Sequence, residues 1–167
     1  MITIRGERPA DIPAIHAVHR TAFPTDAEAR LVDCIRIGGH ATISLVAEFA
    51  GQLVGHILFS PITIGGQPVS GLGLAPVAVL PEQQRRGVGS ALIRAGLDAC
   101  RAKGYGFVVL LGHVEYYPRF GFQPASRFGL GNEYGADDAF MALELTPGSI
   151  PAAGGLVQYG AEFTEFA

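Results

Sequence analysis

The segment Leu74 to Ile93, LAPVAVLPEQQRRGVGSALI, constrains the fold more than any other. The apolar run Leu74 to Leu80 has the length and composition of a strand buried on both faces, and Pro81, with no N–H for a sheet ladder, ends it. After Gly89 the apolar spacing becomes helical, with Val88, Leu92 and Gly96 on one line and Ile93, Leu97 and Cys100 beside it. The order is therefore strand, tight turn, helix. A helix that opens on Gly87 and Gly89 presents unpaired backbone N–H groups with nothing bulky in front, and its dipole adds partial positive charge there. This predicts an anion pocket suited to phosphate, to which Arg85 and Arg86 can add charge-assisted contacts.

Loop patterns narrow the ligand. No GxxxxGK[ST] string occurs, and a GxGxxG fingerprint would need glycine where the chain has Leu92. What fits is QxxGxG, formed by Gln84, Gly87 and Gly89. A second element lies downstream: the strand-like run Phe107 to Leu111 follows a Gly104 helix stop and leads into Tyr116-Tyr117-Pro118-Arg119-Phe120-Gly121-Phe122. In this order, QxxGxG and YYxxFGF resemble two signatures of the GNAT acetyltransferase superfamily, whose loop cradles the pyrophosphate of acetyl-coenzyme A and whose fifth strand precedes an FYxxLGF element. The close resemblance covers Leu74 to Gln123. Ile2 to Ser60 and Phe140 to Leu145 fit more loosely, and the tail after Pro147 matches nothing in the shared core. Many members carry an Asn before the aromatic pair, whereas this chain reads Leu110 to Val114 there, which puts any contact from that Asn in doubt.

Composition excludes several classes. With 167 residues, 49% of them hydrophobic and 16% charged, the chain builds its own core as a single domain. Its net charge of −3 and the absence of a basic block beyond Arg85-Arg86 argue against a nucleic-acid surface. Cys34 and Cys100 lack metal spacing and read as reduced thiols. No apolar run approaches ~18 residues and no secretory signal is visible, so neither membrane nor export is indicated and a cytoplasmic location is expected. The expected layout is a GNAT acetyltransferase domain over residues 1–147 and an extension of the same domain over 148–167, with Pro147 to Gly155 as a linker to a last segment, Leu156 to Phe166.

Local signals order the elements. Ile2 to Arg5 reads as a strand and Asp11 to Ala22 as a helix capped by Asp11. Thr25-x-x-Glu28 reads as a capping box for a second helix through Arg36, stopped at Gly38. Strands follow at Ser44 to Phe49, Gln52 to Ile64 and Val69 to Leu80, then a helix from Val88 to Lys103, a strand at Phe107 to Leu111, a short helix near Glu115 to Phe120 and a strand at Phe140 to Leu145. The class is α+β: a GNAT-like mixed, mostly antiparallel twisted sheet with helices on both faces. The resemblance adds a splay between the two central strands.

The resemblance also implies site residues. The pantetheine arm would pair with the backbone of Val77, Ala78 and Val79, and the loop Gln84, Arg85, Arg86, Gly87, Val88, Gly89 and Ser90 would hold the pyrophosphate. An oxyanion donor would be a main-chain N–H near Val79. Tyr117 matches the family's general acid, which suits protonation of a departing thiolate, while Tyr116 reads as a core ring. The base is left open among Glu28, Glu48, His56, Glu82, His113, Glu115 and Glu133, with the capping box a sufficient structural reason for Glu28. His16 and His19 stand three apart on a helix, but no third ligand or HExxH pattern accompanies them, so no metal is expected. The function implied is a direct transfer of acetyl from acetyl-CoA to a primary amine on a small molecule, peptide or protein. A non-catalytic coenzyme A or acyl-CoA sensing module is the alternative, and a nucleotide-binding protein is disfavoured by the missing Walker residues. Sheet edges in this family pair, so a homodimer is also open.

Overall fold

β-Hairpins and an antiparallel ladder build the first part of the chain. In the structure, a computed structural model that describes residues 1–166, β1 (Ile2–Gly6) pairs antiparallel with β2 (Ile43–Phe49), and β2 with β3 (Gln52–Ile64). Ala50 and Gly51 join β2 to β3 with φ of 52° and 78°, the two left-handed residues that match a hairpin turn to the twist of its strands. Between β1 and β2 lie α1 (Ile12–Ala22) and α2 (Ala27–Ile37). β4 (Gln67–Val79) returns after Gly65-Gly66, and α3 (Val88–Ala102) follows it.

The chain forms two compact units. The first comprises Met1–Ser60, Ala75–Ala99 and the segment from Ala161; the second comprises Pro61–Leu74 and Cys100–Gly160. In the first unit, alternation along β3 decides what each helix covers. Leu58 joins Ile15, Leu31, Val32, Ile35 and Val46 beneath α1 and α2. The odd-numbered positions face α3: a Cβ at Gly96 would lie 2.4 Å from the Phe59 ring, and one at Gly55 would lie 3.0 Å from Leu92. Helices thus cover both faces, and Gly96 is glycine because a ring occupies its side-chain space.

The second unit holds the ends of β3 and β4 with β5 (Phe107–Leu111), β6 (Gln123–Pro124), β7 (Leu130–Asn132), β8 (Phe140–Glu144) and β9 (Gly155–Tyr159). β8 is antiparallel to both β5 and β6, and β9 lies antiparallel to β3 and parallel to β7. β4 runs parallel to β5 only from Gly71↔Phe107 to Gly73↔Val109, where their ladder stops. The sheet is mixed and mostly antiparallel, as the sequence leads one to expect. Ile62, Ile64, Phe107, Val109, Phe140, Ile150 and Val157 fill its core.

Several expectations are corrected. Asp11 stands at the N-cap of α1 as expected, but its side chain makes no cap hydrogen bond; its carboxylate accepts the Arg8 N–H at 2.7 Å and binds the Arg5 guanidinium at 2.7 and 2.9 Å. That hydrogen bonding from Arg5 holds the Asp11 carboxyl down to about 2. The box at Thr25 does not close either, because α2 starts one residue later with Asp26 at its N-cap, and Thr25 Oγ1 instead accepts the Ala27 N–H at 3.2 Å. The segment after Pro147 is no loose linker. Ser149 donates to the Gly106 carbonyl at 2.6 Å, the Ile150 N–H reaches Glu144 at 3.0 Å, and Ile150 is buried in the second unit's core. Beyond β9, a 3-10 turn (Ala161–Phe166) packs on α2, with Phe163 against the first unit's apolar cluster and His40 within 2.6 Å of Glu162.

Candidate active site

The loop between β4 and α3 forms where the sequence requires it. Arg85 and Gly87 both take left-handed backbone, with φ of 65° and 82°, and the first helical hydrogen bond runs from the Ala91 N–H to the Gly87 carbonyl at 3.0 Å. The N–H groups of Val88 and Gly89 precede that bond and have no helical carbonyl behind them. Gly87, Arg85 and Arg86 are exposed, while Val88 turns its side chain into the core and so anchors the helix start from below. An open, positively polarised helix N-terminus flanked by two guanidinium groups is a phosphate-binding geometry.

Gln84 serves the loop differently from the other members. Its Nε2 donates to the Val79 carbonyl at 3.0 Å, tying the loop back to the end of β4. One lone pair of the Val79 carbonyl is therefore engaged by the loop itself. The expectation that this stretch is buried on both faces is corrected here. Leu74, Pro76 and Ala78 are buried, but Ala75, Val77 and Val79 on the opposite face are only half-buried. Pro76 has no N–H to offer any neighbour, and the β4–β5 ladder has already ended at Gly73.

In the second unit, Tyr117 opens a 3-10 turn (Tyr117–Phe120) after β5. It is 8% exposed, and its ring packs against those of Tyr116 (centroids 5.1 Å apart), Phe122 (5.9 Å) and Phe120 (6.3 Å). Burial, with a smaller contribution from Tyr116, pushes its hydroxyl up to about 12, so the proton stays on at neutral pH. Gly112 makes room for this ring: a Cβ there would sit 2.3 Å from Tyr117. No sequence pattern singles out Gly112, because its neighbour arrives through the third dimension. Tyr116 is the structural ring expected of it, with the Arg119 guanidinium 4.4 Å over its face.

The candidate bases separate once packed. Glu48 binds Arg5. His56, completely buried, lies 2.8 Å from Ser44 Oγ and 2.8 Å from His19. Glu82, His113, Glu115 and Glu133 are exposed. Glu28 keeps one carboxylate oxygen, Oε1, buried without a hydrogen-bond partner among the described residues. His16 and His19 face different partners, His16 lying 2.8 Å from Asp33, and among the described residues no three His, Cys, Asp or Glu side chains gather as a metal site. Glu7, which sequence reasoning passed over, anchors the buried polar cluster of the first unit. Arg36 donates to it at 2.9 and 2.7 Å, and Ser44 at 2.6 Å.

The profile of the Acetyltransferase (GNAT) domain matches residues 3–125. The chain belongs to the GNAT acetyltransferase family. Members of this family are acetyl-CoA-dependent acyltransferases, and that is the enzyme class of this chain. The N-acetyltransferase YhbS of Escherichia coli strain K12 is 38% identical over 165 residues, which are 98% of this chain and 99% of YhbS. The crystal structure of E. coli YhbS in complex with CoA superposes with a TM-score of 0.95 at 36% identity, covering 99% of this chain and 93% of that one. A GNAT acetyltransferase from Brucella melitensis in complex with acetyl-CoA gives 0.84 at 39% identity, with 98% of each chain covered. Among the described residues no helix is long and apolar enough to cross a membrane.

Proposed function

We propose that this acetyltransferase moves the acetyl group of acetyl-CoA directly to a primary amine, in a complex holding both substrates. The observation that carries this reading is the β4–α3 loop, where left-handed Gly87 and the open first turn of α3 present backbone donors suited to a pyrophosphate. Gln84, Arg85, Arg86, Gly87, Val88, Gly89 and Ser90 form the coenzyme loop, and the half-open face of β4 at Val77, Ala78 and Val79 receives the pantetheine arm. Support comes from the two relatives solved with CoA and acetyl-CoA, which share the fold at TM-scores of 0.95 and 0.84.

In the transfer, the amine's lone pair attacks the thioester carbonyl and a C–N bond forms as the carbonyl oxygen becomes an oxyanion. A backbone N–H near Val79 stabilises that oxygen. The C–S bond then breaks, the thiolate takes the Tyr117 hydroxyl proton, and the nitrogen gives up its extra proton to a base. A tyrosine held up to about 12 gives its proton readily only to a strong acceptor, and a thiolate leaving into a dry site is one, because desolvation raises its proton affinity as well. The acceptor is a primary amine and the setting is cytoplasmic, in keeping with two free cysteines.

The test is release of coenzyme A thiol from acetyl-CoA against a panel of small amines, amino acids and peptide N-termini. Amine-dependent release supports the enzyme; tight acetyl-CoA binding with no release against any amine would favour a sensing module instead.

A further inference from the structure

The tail after Pro147 and the 3-10 turn that follows β6 (Ala125–Phe128) leave a cleft between them in the second unit. It has a volume of about 320 Å³ and is lined by Arg127, Phe128 and Gly129 from the turn and by Ile150, Pro151 and Ala152 from the tail. Backbone constraints hold both segments. Gly129 ends the turn in left-handed backbone at φ 71°, and its carbonyl accepts the Gly155 N–H at 3.0 Å. Gly154 approaches the same carbonyl so closely that a Cβ there would lie 2.4 Å from its oxygen, and the Gly154 N–H closes the tail's own turn onto the Pro151 carbonyl at 2.9 Å. Ile150 is anchored by its N–H on the Glu144 carboxylate at 3.0 Å and by its side chain in the core with Ala125 and Phe107, and Phe128 packs against that same core. The cleft is thus preformed, and a ligand entering it need not order the chain first.

The lining sets what the cleft can take. Phe128, Ile150, Pro151 and Ala152 offer apolar surface, none of the six lining residues is acidic, and Arg127 is the one charged side chain among them. Arg5 and Arg36 bind carboxylates and Arg119 lies over the Tyr116 ring. Arg127, by contrast, is exposed and bonds to the neutral Gln123 Oε1 at 3.4 Å, and among the described residues no carboxylate pairs with it. A guanidinium presents its donors as a planar fork that matches a carboxylate bidentately. An ammonium ligand would be repelled by that charge, and a phosphate would set its remaining oxygens against apolar walls that cannot pair them. A carboxylate leaves nothing unmet, and a cleft at the small end of ligand pockets admits only a short body behind it.

We propose that this cleft is a binding site for a small monocarboxylic acid with an apolar body, the carboxylate on the Arg127 guanidinium and the body against Phe128, Ile150 and Ala152. It shares no residue with the coenzyme loop or with Tyr117, and it does not rest on the acetyltransferase reading.

Phenylacetate is the probe, and the amide NMR shifts of the isotope-labelled protein are the readout. Saturable shifts of the Arg127, Phe128, Gly129, Ile150 and Ala152 amides are expected, with a Kd on the order of 1 mM, the range of ligands this small. Phenylacetamide, which keeps the shape without the charge, and acetate, which keeps the charge without the body, should each bind at least about tenfold more weakly. Arg127→Gln should weaken phenylacetate by about tenfold or more and keep the wild-type fold, since the side chain is exposed. Ala152→Trp, which fills the cleft from the other segment and leaves Arg127 in place, should do the same, and either variant that folds decides. No saturable shift of these amides up to about 10 mM phenylacetate, equal binding of phenylacetamide or acetate, or wild-type affinity in a folded variant overturns the proposal. Shifts confined to Gln84–Ser90 would assign the probe to the coenzyme loop and overturn it as well.

Discussion

Tyr117 shows how one residue is placed by local pattern and tuned by distant packing. Its position is written in the YYxxFGF string, but the burial that pushes its hydroxyl up to about 12 comes from Phe122, Phe120, Tyr116 and the missing side chain of Gly112. Removing only the hydroxyl separates the two contributions, since phenylalanine keeps the ring contacts. Tyr117→Phe is expected to lower the rate of the chemical step by roughly 10²–10⁴, about 3–5 kcal/mol in the barrier, with acetyl-CoA affinity nearly unchanged. Tyr116→Phe, the control, should keep most activity. Single-turnover thiol release is the measurement, and wild-type chemistry in Tyr117→Phe would remove it from the mechanism. Glu28 is the opposite case: the local string Thr25-x-x-Glu28 points to a cap, but starting α2 at Ala27 shifts the register by one residue and leaves the carboxylate for other work.

Among the elements, the β4–α3 loop was the most legible, because its requirements are local. A strand that must end at Pro81, a left-handed residue at Gly87 and an unobstructed helix start at Gly89 all follow from backbone sterics within a ten-residue window. Gly89→Val places a branched side chain in the first turn of α3 without asking valine for left-handed backbone. Calorimetry is expected to show acetyl-CoA affinity reduced by at least about tenfold, or 1.4 kcal/mol, in a protein whose melting temperature stays near that of wild type. An unchanged affinity in that folded variant would move the pyrophosphate elsewhere. The C-terminal elements were legible only as a strand-like run and a tail. β7 and β9 are short and depend on partners far away in sequence, and Phe163 has a neighbour only because the last turn folds back on α2.

At the scale of the whole molecule, two buried histidines govern acid stability. His19 is held down to about 3, by burial first and then by His56, His16 and Arg36; His56 is lowered by burial although Glu7 pulls the other way. Both folded-state values lie below the ordinary value of 6.5, so below that pH the unfolded chain binds more protons than the folded one. Stability is therefore fully present above about pH 6.5 and is lost as pH falls. Between pH 7 and 5 the loss from His19 is about 2 kcal/mol, and His56 adds to it in the same direction, in a window where unfolded carboxylates are still mostly ionised. Urea unfolding at these two pH values measures it, and equal stability at both would mean that the pair titrates in the folded protein as it does in the unfolded chain. What the sequence by itself determined is what short-range sterics and periodicity enforce: the strand–loop–helix unit, the hairpins, the mixed sheet and the position of Tyr117. What only the tertiary structure decided is which polar groups meet. Glu7 just beyond β1, Arg36 on α2, Ser44 on β2, His56 on β3 and His19 on α1 are linked by no spacing rule; burial brings them together, because polar groups taken out of water must find one another, and at His19 Nδ1 and Glu28 Oε1 that search ends without a partner among the described residues.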